Sequence, residues 1–442
     1  MKGFLRVIGY IGTAFISAMI SMIISGEIDS FDFGEKTTGR SEETSTYTDY
    51  TEQFSEYDFG SEDSGEDDTT MESDEGQSEE WVTVLVADKD YSYAHGYYYQ
   101  YLTGKERIVY DEFVEACENF MDDAIVDYIT VDEYINVYDA FRYDHPEFYW
   151  VDFTRFLNNR ISYFQGDGYC KVYFNVPYDA REVYSQLLAN ADNIVYSAYA
   201  YANGCKDEYL MAKYFFDYLS ENNRYGRGAG DHNQTATGAL VYGESVCAGY
   251  ADAFKLLCDR AGIDCITVVG YTLDEDGNAA ASYHAWNQVS IYGQSYWVDA
   301  TWGDSEYRDN YLISCPDYSY FLATDVFLQD HVADGTFHHQ DILSHFRAVF
   351  SQCSSMQYEF YNYNGMFFNT YSESEYYIYG NLSAGSNFIW MQYSSNEELS
   401  AAIDELINYG KMWKFIDASG ASYSQYSYSF NAQFHTLRLE FM

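Results

Sequence analysis

One cysteine of this chain lies where a thiol could act as a nucleophile. The segment ESVCAGYADAFKLLCDRAGI has apolar residues at positions i, i+3, i+4, i+7, i+8 and i+11 from Tyr250, which is the spacing of one helix face. We expect Ser245 to cap this helix and Gly262 to end it. Cys247 then falls in the first turn, where unpaired backbone N–H groups would stabilise a thiolate. A cysteine in such a helix can equally be a small buried hydrophobic residue, which is how we interpret Cys258.

Two strand-like segments further along the chain carry a base and a carboxylate. YHAWNQVSI and QSYWVDATW are joined by Tyr292-Gly293. A tight turn at these two residues would pair positions whose numbers sum to 585, so that His284 opposes Thr301. Asp299 lies two positions away, with its side chain on the same face of the sheet. The pattern therefore predicts an imidazole that activates the thiol and a carboxylate that orients the imidazole.

These segments also resemble a known family. The blocks GESVCAGYADAFKLLCDRAGI, SYHAWNQV and YWVDATWGD resemble the three motif blocks of the transglutaminase-like superfamily, in order and in spacing. The resemblance covers residues 205–350. It implies an α+β fold with a papain-like core, in which the helix that carries the thiol packs on an antiparallel sheet.

The resemblance implies roles for individual residues. Cys247 matches the nucleophile, His284 the general base and acid, and Asp299 the third member of a catalytic triad. Three further residues match recurrent motif positions, and we expect them to be structural or to line the cleft: Trp286, Trp302 and Asp304. Because the resemblance identifies no oxyanion side chain, we assign that role to the backbone N–H of Cys247 alone.

The implied activity is acyl transfer through a thioester, on a glutamine or peptide amide of a protein or peptide substrate. Resolution of the acyl-enzyme by an amine would make the protein a cross-linking enzyme, whereas resolution by water would make it a peptidase or an amidase. The sequence leaves these outcomes open. A non-catalytic surface module for binding or adhesion is the alternative from a different class. No cofactor is implied.

Metal-binding patterns are weak. The loop DEDGN lacks the remaining ligands of a calcium loop, because the position where glutamate is expected is Ala285. The histidines near the middle of the chain form no HExxH motif: His331, His338, His339 and His345. We therefore expect no metal site.

Charge limits the partners of the chain. The formal net charge is −47, which argues against nucleic acid and anionic lipid because phosphate binding needs Lys and Arg. Residues 27–80 contain 20 acidic residues against Lys36 and Arg40, and they lack apolar periodicity. Such a segment cannot bury enough surface to offset its chain entropy, so we interpret it as a disordered linker.

The N-terminus predicts an extracytoplasmic protein. Val7 to Ile24 contain no charged residue and follow Lys2 and Arg6, which would keep the N-terminal end in the cytoplasm. Eighteen residues of helix could just cross a bilayer. Residues 1–26 are therefore expected to be a membrane anchor or a signal sequence, with the remainder anchored to the cell membrane or secreted.

Two further regions flank the family-like segment. Residues 81–204 are expected to form an α+β module with helices near 106–122, 131–143 and 179–202, a strand at PEFYWVDF and a hairpin from ISYFQ to YCKVYFNV. This module resembles one that often precedes the transglutaminase-like domain in secreted proteins of Gram-positive bacteria. Residues 351–442 are expected to form a small α+β region with strands YEFYNYN, YYIYGN and HTLRLEF, to which we assign no chemistry.

The eight cysteines contain no CxxC pair, which argues against a zinc ribbon or a thioredoxin-type motif. Disulfides are compatible with an extracytoplasmic location, but the sequence does not determine their pairing.

Overall fold

A computed structural model describes residues 96–442, apart from gaps at 152–160, 165–167, 175, 227, 229, 274–278, 305–313, 335–337, 340–341 and 344–346. The expected anchor and acidic linker lie outside the described residues, as do the DEDGN loop and His345. Within the described ranges, no helix has the length and apolar character that a bilayer crossing requires.

The first hydrophobic cluster is built by two helices, α1 (Gly104–Glu118) and α2 (Val131–Asp144), and a three-stranded antiparallel sheet. Each helix begins with a Thr-x-x-Glu capping box, in which threonine and glutamate satisfy backbone N–H groups of the first turn. The strand order is β1-β3-β2, and the strands are β1 (Asp123–Asp127), β2 (Ile161–Phe164) and β3 (Tyr169–Tyr173).

The predicted hairpin is confirmed, because β2 pairs antiparallel with β3 from Ile161–Val172 to Phe164–Tyr169. The strand predicted at PEFYWVDF is wrong for the part that the structure describes. Residues 146–151 form turns, and their aromatic side chains fill the first cluster instead of a sheet face.

The second hydrophobic cluster contains three helices and a five-stranded sheet. The helices are α3 (Ala180–Tyr201), α4 (Glu208–Asn222) and α5 (Cys247–Ala261). The sheet has the order β10-β6-β7-β8-β9, and every neighbouring pair is antiparallel. Its strands are β6 (Cys265–Leu273), β7 (Ala279–Ile291), β8 (Gln294–Val298), β9 (Phe321–Ala323) and β10 (His331–Ala333). Because α5 packs on β6 and β7, the predicted α+β fold class is confirmed.

Shorter elements complete this region. A five-residue π-helical turn spans Gly238–Tyr242. A parallel strand pair precedes α5, and an antiparallel pair follows β10: β4 (Arg224–Tyr225) with β5 (Glu244–Ser245), and β11 (His338–His339) with β12 (Ile342–Leu343).

The predicted register between β7 and β8 is confirmed from Asn287–Val298 to Ile291–Gln294. Tyr292 and Gly293 both have positive φ angles, 49° and 80°, as a tight hairpin turn requires. The predicted pairing of His284 with Thr301 is wrong. The strand β8 ends at Val298, and the chain turns into a short helix, α6 (Ala300–Gly303).

The ends of α5 differ in how well they were predicted. Gly262 ends the helix with φ of 68°, a left-handed conformation that glycine adopts without strain. The predicted cap at Ser245 is wrong, because Val246 holds the cap position. The Ser245 hydroxyl instead accepts a hydrogen bond from Asn223 Nδ2 at 2.8 Å.

The third hydrophobic cluster lies in the C-terminal region, where the strands have the order β13-β14-β16-β15. The strands are β13 (Phe367–Phe368), β14 (Phe388–Tyr393), β15 (Tyr426–Asn431) and β16 (Thr436–Phe441). The helices are α7 (Phe360–Tyr363), α8 (Tyr371–Ser383), α9 (Asn396–Ile403), which a π-helical turn extends at Asp404–Asn408, and α10 (Lys411–Ser419).

The predicted strand HTLRLEF is confirmed as β16 from Thr436 onward, but YEFYNYN and YYIYGN are helical. Tyrosine-rich segments favour strands by propensity. In α8, however, Tyr371, Ile378 and Leu382 are buried at helical spacing, and the packing of this face outweighs the local preference.

A buried ion pair joins α2 to α5. Arg142 Nη2 lies 2.7 Å from Asp252 Oδ2, and the two side chains are only 6% and 1% exposed. Arg142 also donates to the carbonyl oxygen of Gln234 at 3.1 Å. The helix that begins with Cys247 is therefore tied to the N-terminal cluster by charges that water cannot screen.

We expect Asp252→Asn to lower the free energy of unfolding by about 3–5 kcal/mol, because it leaves the Arg142 charge buried without its counterion. Urea unfolding followed by circular dichroism measures the change. Lys105→Ala is the matched control, since it breaks an ion pair with Glu133 that is 43% and 28% exposed. That control should cost at most about 1 kcal/mol. Equal losses in the two variants would contradict this account of the buried pair.

Candidate active site

Cys247 is the first residue of α5 and is half-buried. No side chain caps the N-terminus of this helix. The unpaired N–H groups of the first turn therefore keep their partial positive charge next to the sulfur. All eight cysteines are free thiols, so no disulfide occupies the Cys247 sulfur.

His284 lies on β7, opposite Gly270 of β6. A Cβ atom at Gly270 would lie 2.1 Å from the carbonyl oxygen of Val332 and 2.8 Å from the Trp286 ring. Both distances are far below van der Waals contact, so this position requires glycine. The absence of a side chain allows β10 and the Trp286 ring to pack closely beside the histidine.

The two nitrogens of His284 have different partners. Nε2 lies 2.7 Å from Asp299 Oδ2. The ring also forms a side-chain hydrogen bond with Cys247. Because Nε2 is engaged by the carboxylate, we assign this second hydrogen bond to Nδ1. The imidazole thus lies between the thiol and the carboxylate.

Asp299 caps α6 through its other oxygen. Oδ1 accepts hydrogen bonds from the backbone N–H groups of Thr301 at 2.9 Å and Trp302 at 3.0 Å. The backbone N–H of Asp299 itself donates to the carbonyl oxygen of Tyr320 at 2.9 Å. The cap explains why β8 ends before Asp299, and it fixes the orientation of the carboxylate toward His284.

The electrostatics of the three groups favour charge separation. Burial raises the pKa of the Cys247 thiol, but the hydrogen bond and the charge of His284 outweigh burial and lower it. Burial lowers the pKa of His284, whereas Asp299 and Cys247 raise it to about 10. Burial raises the pKa of Asp299, but the two histidines His284 and His331 lower it well below its usual value. A thiol that is more acidic than its neighbouring imidazole gives it the proton, so the arrangement supports a thiolate–imidazolium pair.

The three other residues that the sequence singled out surround this group. The rings of Trp286 and Trp302 lie 5.9 Å and 5.5 Å from the His284 ring. Trp286 is fully buried, whereas Trp302 is partly exposed and could line a cleft. Asp304 accepts a hydrogen bond from the Tyr250 hydroxyl at 2.6 Å, which ties the end of α6 to α5. The structural or cleft-lining role expected of Asp304 stays a prediction.

His331 was missed by the sequence analysis as a member of this site. Its Nε2 lies 3.0 Å from Asp299 Oδ2, the oxygen that also contacts His284, and its Nδ1 lies 2.7 Å from Asp330 Oδ1. The residue lies 47 positions after His284 and belongs to the edge strand β10. No local pattern in the sequence indicates this proximity.

Among the residues that the structure describes, one group could hold a metal ion: His284, Asp299 and His331, whose ligand atoms lie within 4.8 Å of one another. Two of the separations, 2.7 Å and 3.0 Å, are hydrogen-bond lengths. Tetrahedral ligands at about 2.0–2.1 Å from a shared zinc ion would lie farther apart, roughly 3.3 Å from one another. Hydrogen bonding accounts for this geometry without a metal.

Residues 197–301 match the family model of the transglutaminase-like superfamily. The chain contains a transglutaminase-like domain. Cys247, His284 and Asp299 all lie within the matched segment.

The chain is 28% identical over 146 residues to kyphoscoliosis peptidase from Homo sapiens and 29% identical over 146 residues to the same protein from Mus musculus. Each match covers 31% of this chain and 20% of the relative.

A solved structure is also similar to part of this chain. The periplasmic domain of TgpA from Pseudomonas aeruginosa, bound to ethylmercury, is 19% identical, with a TM-score of 0.21. The similarity covers 30% of this chain and 55% of that one.

The contact between Cys247 and His284, together with the lowered pKa of the thiol, predicts that Cys247 of the transglutaminase-like domain reacts as a thiolate at lower pH than an ordinary thiol does. The lowered pKa of the thiol increases the thiolate fraction at any given pH, and the raised pKa of His284 keeps the imidazolium charged up to about pH 10. We expect iodoacetamide at pH 6 to alkylate Cys247 at least about tenfold faster than an ordinary thiol, which is almost fully protonated at that pH. Peptide mass spectrometry measures the rate for each cysteine.

Cys205 is exposed and serves as the internal control in the same sample. In His284→Ala, Cys247 should lose its reactivity at pH 6 and follow the pH dependence of an ordinary thiol. A Cys247 that reacts no faster than Cys205 in the unmodified protein would contradict the thiolate–imidazolium pair.

Proposed function

We propose that this protein is a thiol acyltransferase or hydrolase that acts on amides of proteins or peptides. The observation that carries the proposal is the order of the three groups: a sulfur at a helix N-terminus, a histidine that contacts it, and a buried carboxylate 2.7 Å from the far nitrogen of that histidine. This order provides a nucleophile, a proton carrier and an orienting group.

In the first half of the proposed reaction, the Cys247 thiolate attacks the amide carbon, so that a C–S bond forms. The imidazolium of His284 gives its Nδ1 proton to the amide nitrogen, and the C–N bond breaks to release an amine or ammonia. The backbone N–H of Cys247 stabilises the negative charge that develops on the carbonyl oxygen. Asp299 stabilises the imidazolium and holds its orientation through both halves.

In the second half, neutral His284 takes a proton from water or from an acceptor amine. The activated oxygen or nitrogen attacks the thioester carbon, the C–S bond breaks, and the thiolate is restored. An amine acceptor makes the net reaction a cross-link, and water makes it a hydrolysis. The partly exposed Trp302 beside His284 is an apolar surface that would limit the access of water.

We further propose that the reaction takes place at the cell surface. The uncharged stretch from Val7 to Ile24 behind Lys2 and Arg6 supports a membrane anchor or an export signal, and the acidic segment 27–80 supports a spacer between the membrane and the enzyme.

The test of the activity is incubation with a labelled primary amine and glutamine-containing peptides, alongside the same peptides without the amine. Incorporation of label shows transfer, and loss of ammonia or chain cleavage without incorporation shows hydrolysis. Cys247→Ala should abolish either product, while Cys205→Ala, which changes an exposed thiol remote from the triad in sequence, should retain it. Equal product from the wild type and Cys247→Ala would overturn the proposal. A wild type that traps no acyl group on Cys247 would favour a non-catalytic binding or adhesion module.

Asp299→Asn tests the orienting group. The amide retains an oxygen that can cap α6, but it cannot stabilise the imidazolium and disfavours the tautomer that the reaction needs. We expect turnover to fall by about 10²- to 10⁴-fold, with a smaller change in KM. Steady-state kinetics with the peptide selected above measures both constants. Turnover within a factor of about two of the wild type would show that Asp299 has no such role.

A further inference from the structure

His331 presents an arrangement that a triad alone does not require. The His331 side chain is completely buried, and its two nitrogens contact two different carboxylates, Asp299 at 3.0 Å and Asp330 at 2.7 Å. Both separations are hydrogen-bond lengths, so each ring nitrogen of His331 is engaged by a carboxylate oxygen. The titratable groups that face this ring are Asp330, Asp299, His284 and Tyr320, whose ring lies 6.3 Å away.

The two histidines share a single oxygen. His284 and His331 both donate to Asp299 Oδ2, at 2.7 Å and 3.0 Å, while Oδ1 is occupied by the backbone of α6. A carboxylate oxygen that accepts two hydrogen bonds holds each donor less tightly than one that accepts a single hydrogen bond. The rings of the two histidines lie 5.4 Å apart.

The far end of this arrangement lies in the C-terminal region. Asp330 Oδ1 accepts a second hydrogen bond, from Gln433 Nε2 at 2.9 Å. Gln433 also donates to the carbonyl oxygen of Phe327 at 2.7 Å, and it belongs to the connection between β15 and β16. The C-terminal region, to which the sequence assigned no chemistry, thus contacts the triad through two intermediates.

We propose that His331 is a positioning residue that shares Asp299 Oδ2 as a hydrogen-bond acceptor with His284. We also propose that Gln433 of the C-terminal region holds His331 in place through Asp330. This inference rests on the proposed function of the site. If His331 shares this oxygen, His284 releases its Nδ1 proton to the leaving group more readily than it would if Asp299 Oδ2 accepted a hydrogen bond from His284 alone.

Acylation by substrates with basic leaving groups and acylation by activated substrates respond differently to this effect. A leaving group that is already a stable anion needs no proton from His284, whereas a basic leaving group does. Removal of His331 should therefore slow acylation by substrates with basic leaving groups and spare acylation by activated ones. A purely structural role of His331 would slow both equally.

The experiment compares acylation of Cys247 by p-nitrophenyl acetate and by p-cresyl acetate, which share the acyl group and differ in the basicity of the leaving oxygen. Mass spectrometry of a single turnover gives the rate for each ester. We expect His331→Leu to be acylated by p-nitrophenyl acetate at the wild-type rate and by p-cresyl acetate on the order of tenfold more slowly. His331→Gln, whose amide can still donate to Asp299, should recover most of this loss. Gln433→Leu should change the ratio of the two rates in the same direction and by less.

His145→Gln is the control for the loss of another histidine that pairs with a carboxylate, since the His145 side chain is 12% exposed, lies 2.9 Å from Glu147 and packs against Phe141 of the first hydrophobic cluster. It should leave the ratio of the two rates unchanged. An unchanged ratio in folded His331→Leu, or an equal loss with both esters, would overturn the role of His331. If His331→Leu does not fold, the test uses the ratio of the two ester rates in His331→Gln. A ratio that differs from the wild-type ratio by about tenfold or more would overturn the role of His331. An unchanged ratio in Gln433→Leu would overturn the connection to the C-terminal region.

The failure of this inference differs from the failure of the proposed function. If neither ester acylates Cys247 in the wild type, or if acylation persists in His284→Ala at the wild-type rate, the proposed triad itself is wrong. If the wild type depends on Cys247 and His284 but not on His331, only the further inference fails.

Discussion

The carboxylate of Asp299 is the group on which the geometry of the site depends. It is buried, and its two oxygens accept four hydrogen bonds, two from the backbone of α6 and two from imidazole rings. A buried carboxylate without such donors would be strongly unfavourable, so the fold around it must supply all of them. This requirement ends β8 at Val298, starts α6, and brings β7 and β10 to the same oxygen. The orientation of His284 follows from this one constraint.

The sheet brings the two histidine donors to Asp299 because its strands come from distant parts of the chain. His284 and His331 lie on β7 and β10, which are both neighbours of β6, and Gly270 of β6 leaves the space between them open. Trp286 and Trp302 close this space with aromatic rings that contact both imidazoles. The resulting environment excludes water from the far side of the triad, which strengthens every charge interaction within it.

The regions on either side of the transglutaminase-like domain contribute to the same centre. Arg142 of α2 pairs with Asp252 on the helix that begins with Cys247, so the N-terminal cluster helps to fix the position of the thiol. On the other side, Gln433 contacts the residue next to His331. The thiol and the carboxylate are thus each supported by a region outside the segment that matches the family model.

The sequence by itself determined the parts of the site that depend on local periodicity and turn geometry. Helical spacing placed Cys247 at the start of a helix, and the two-residue turn at Tyr292-Gly293 set the register of β7 against β8, since both signals arise from neighbours along the chain. Only the tertiary structure decided where β8 ends, because the capping of α6 by Asp299 competes with strand pairing. It also decided that tyrosine-rich α8 is a helix and that His331 contacts Asp299. Burial and long-range hydrogen bonds settle such features, and local sequence patterns do not encode them.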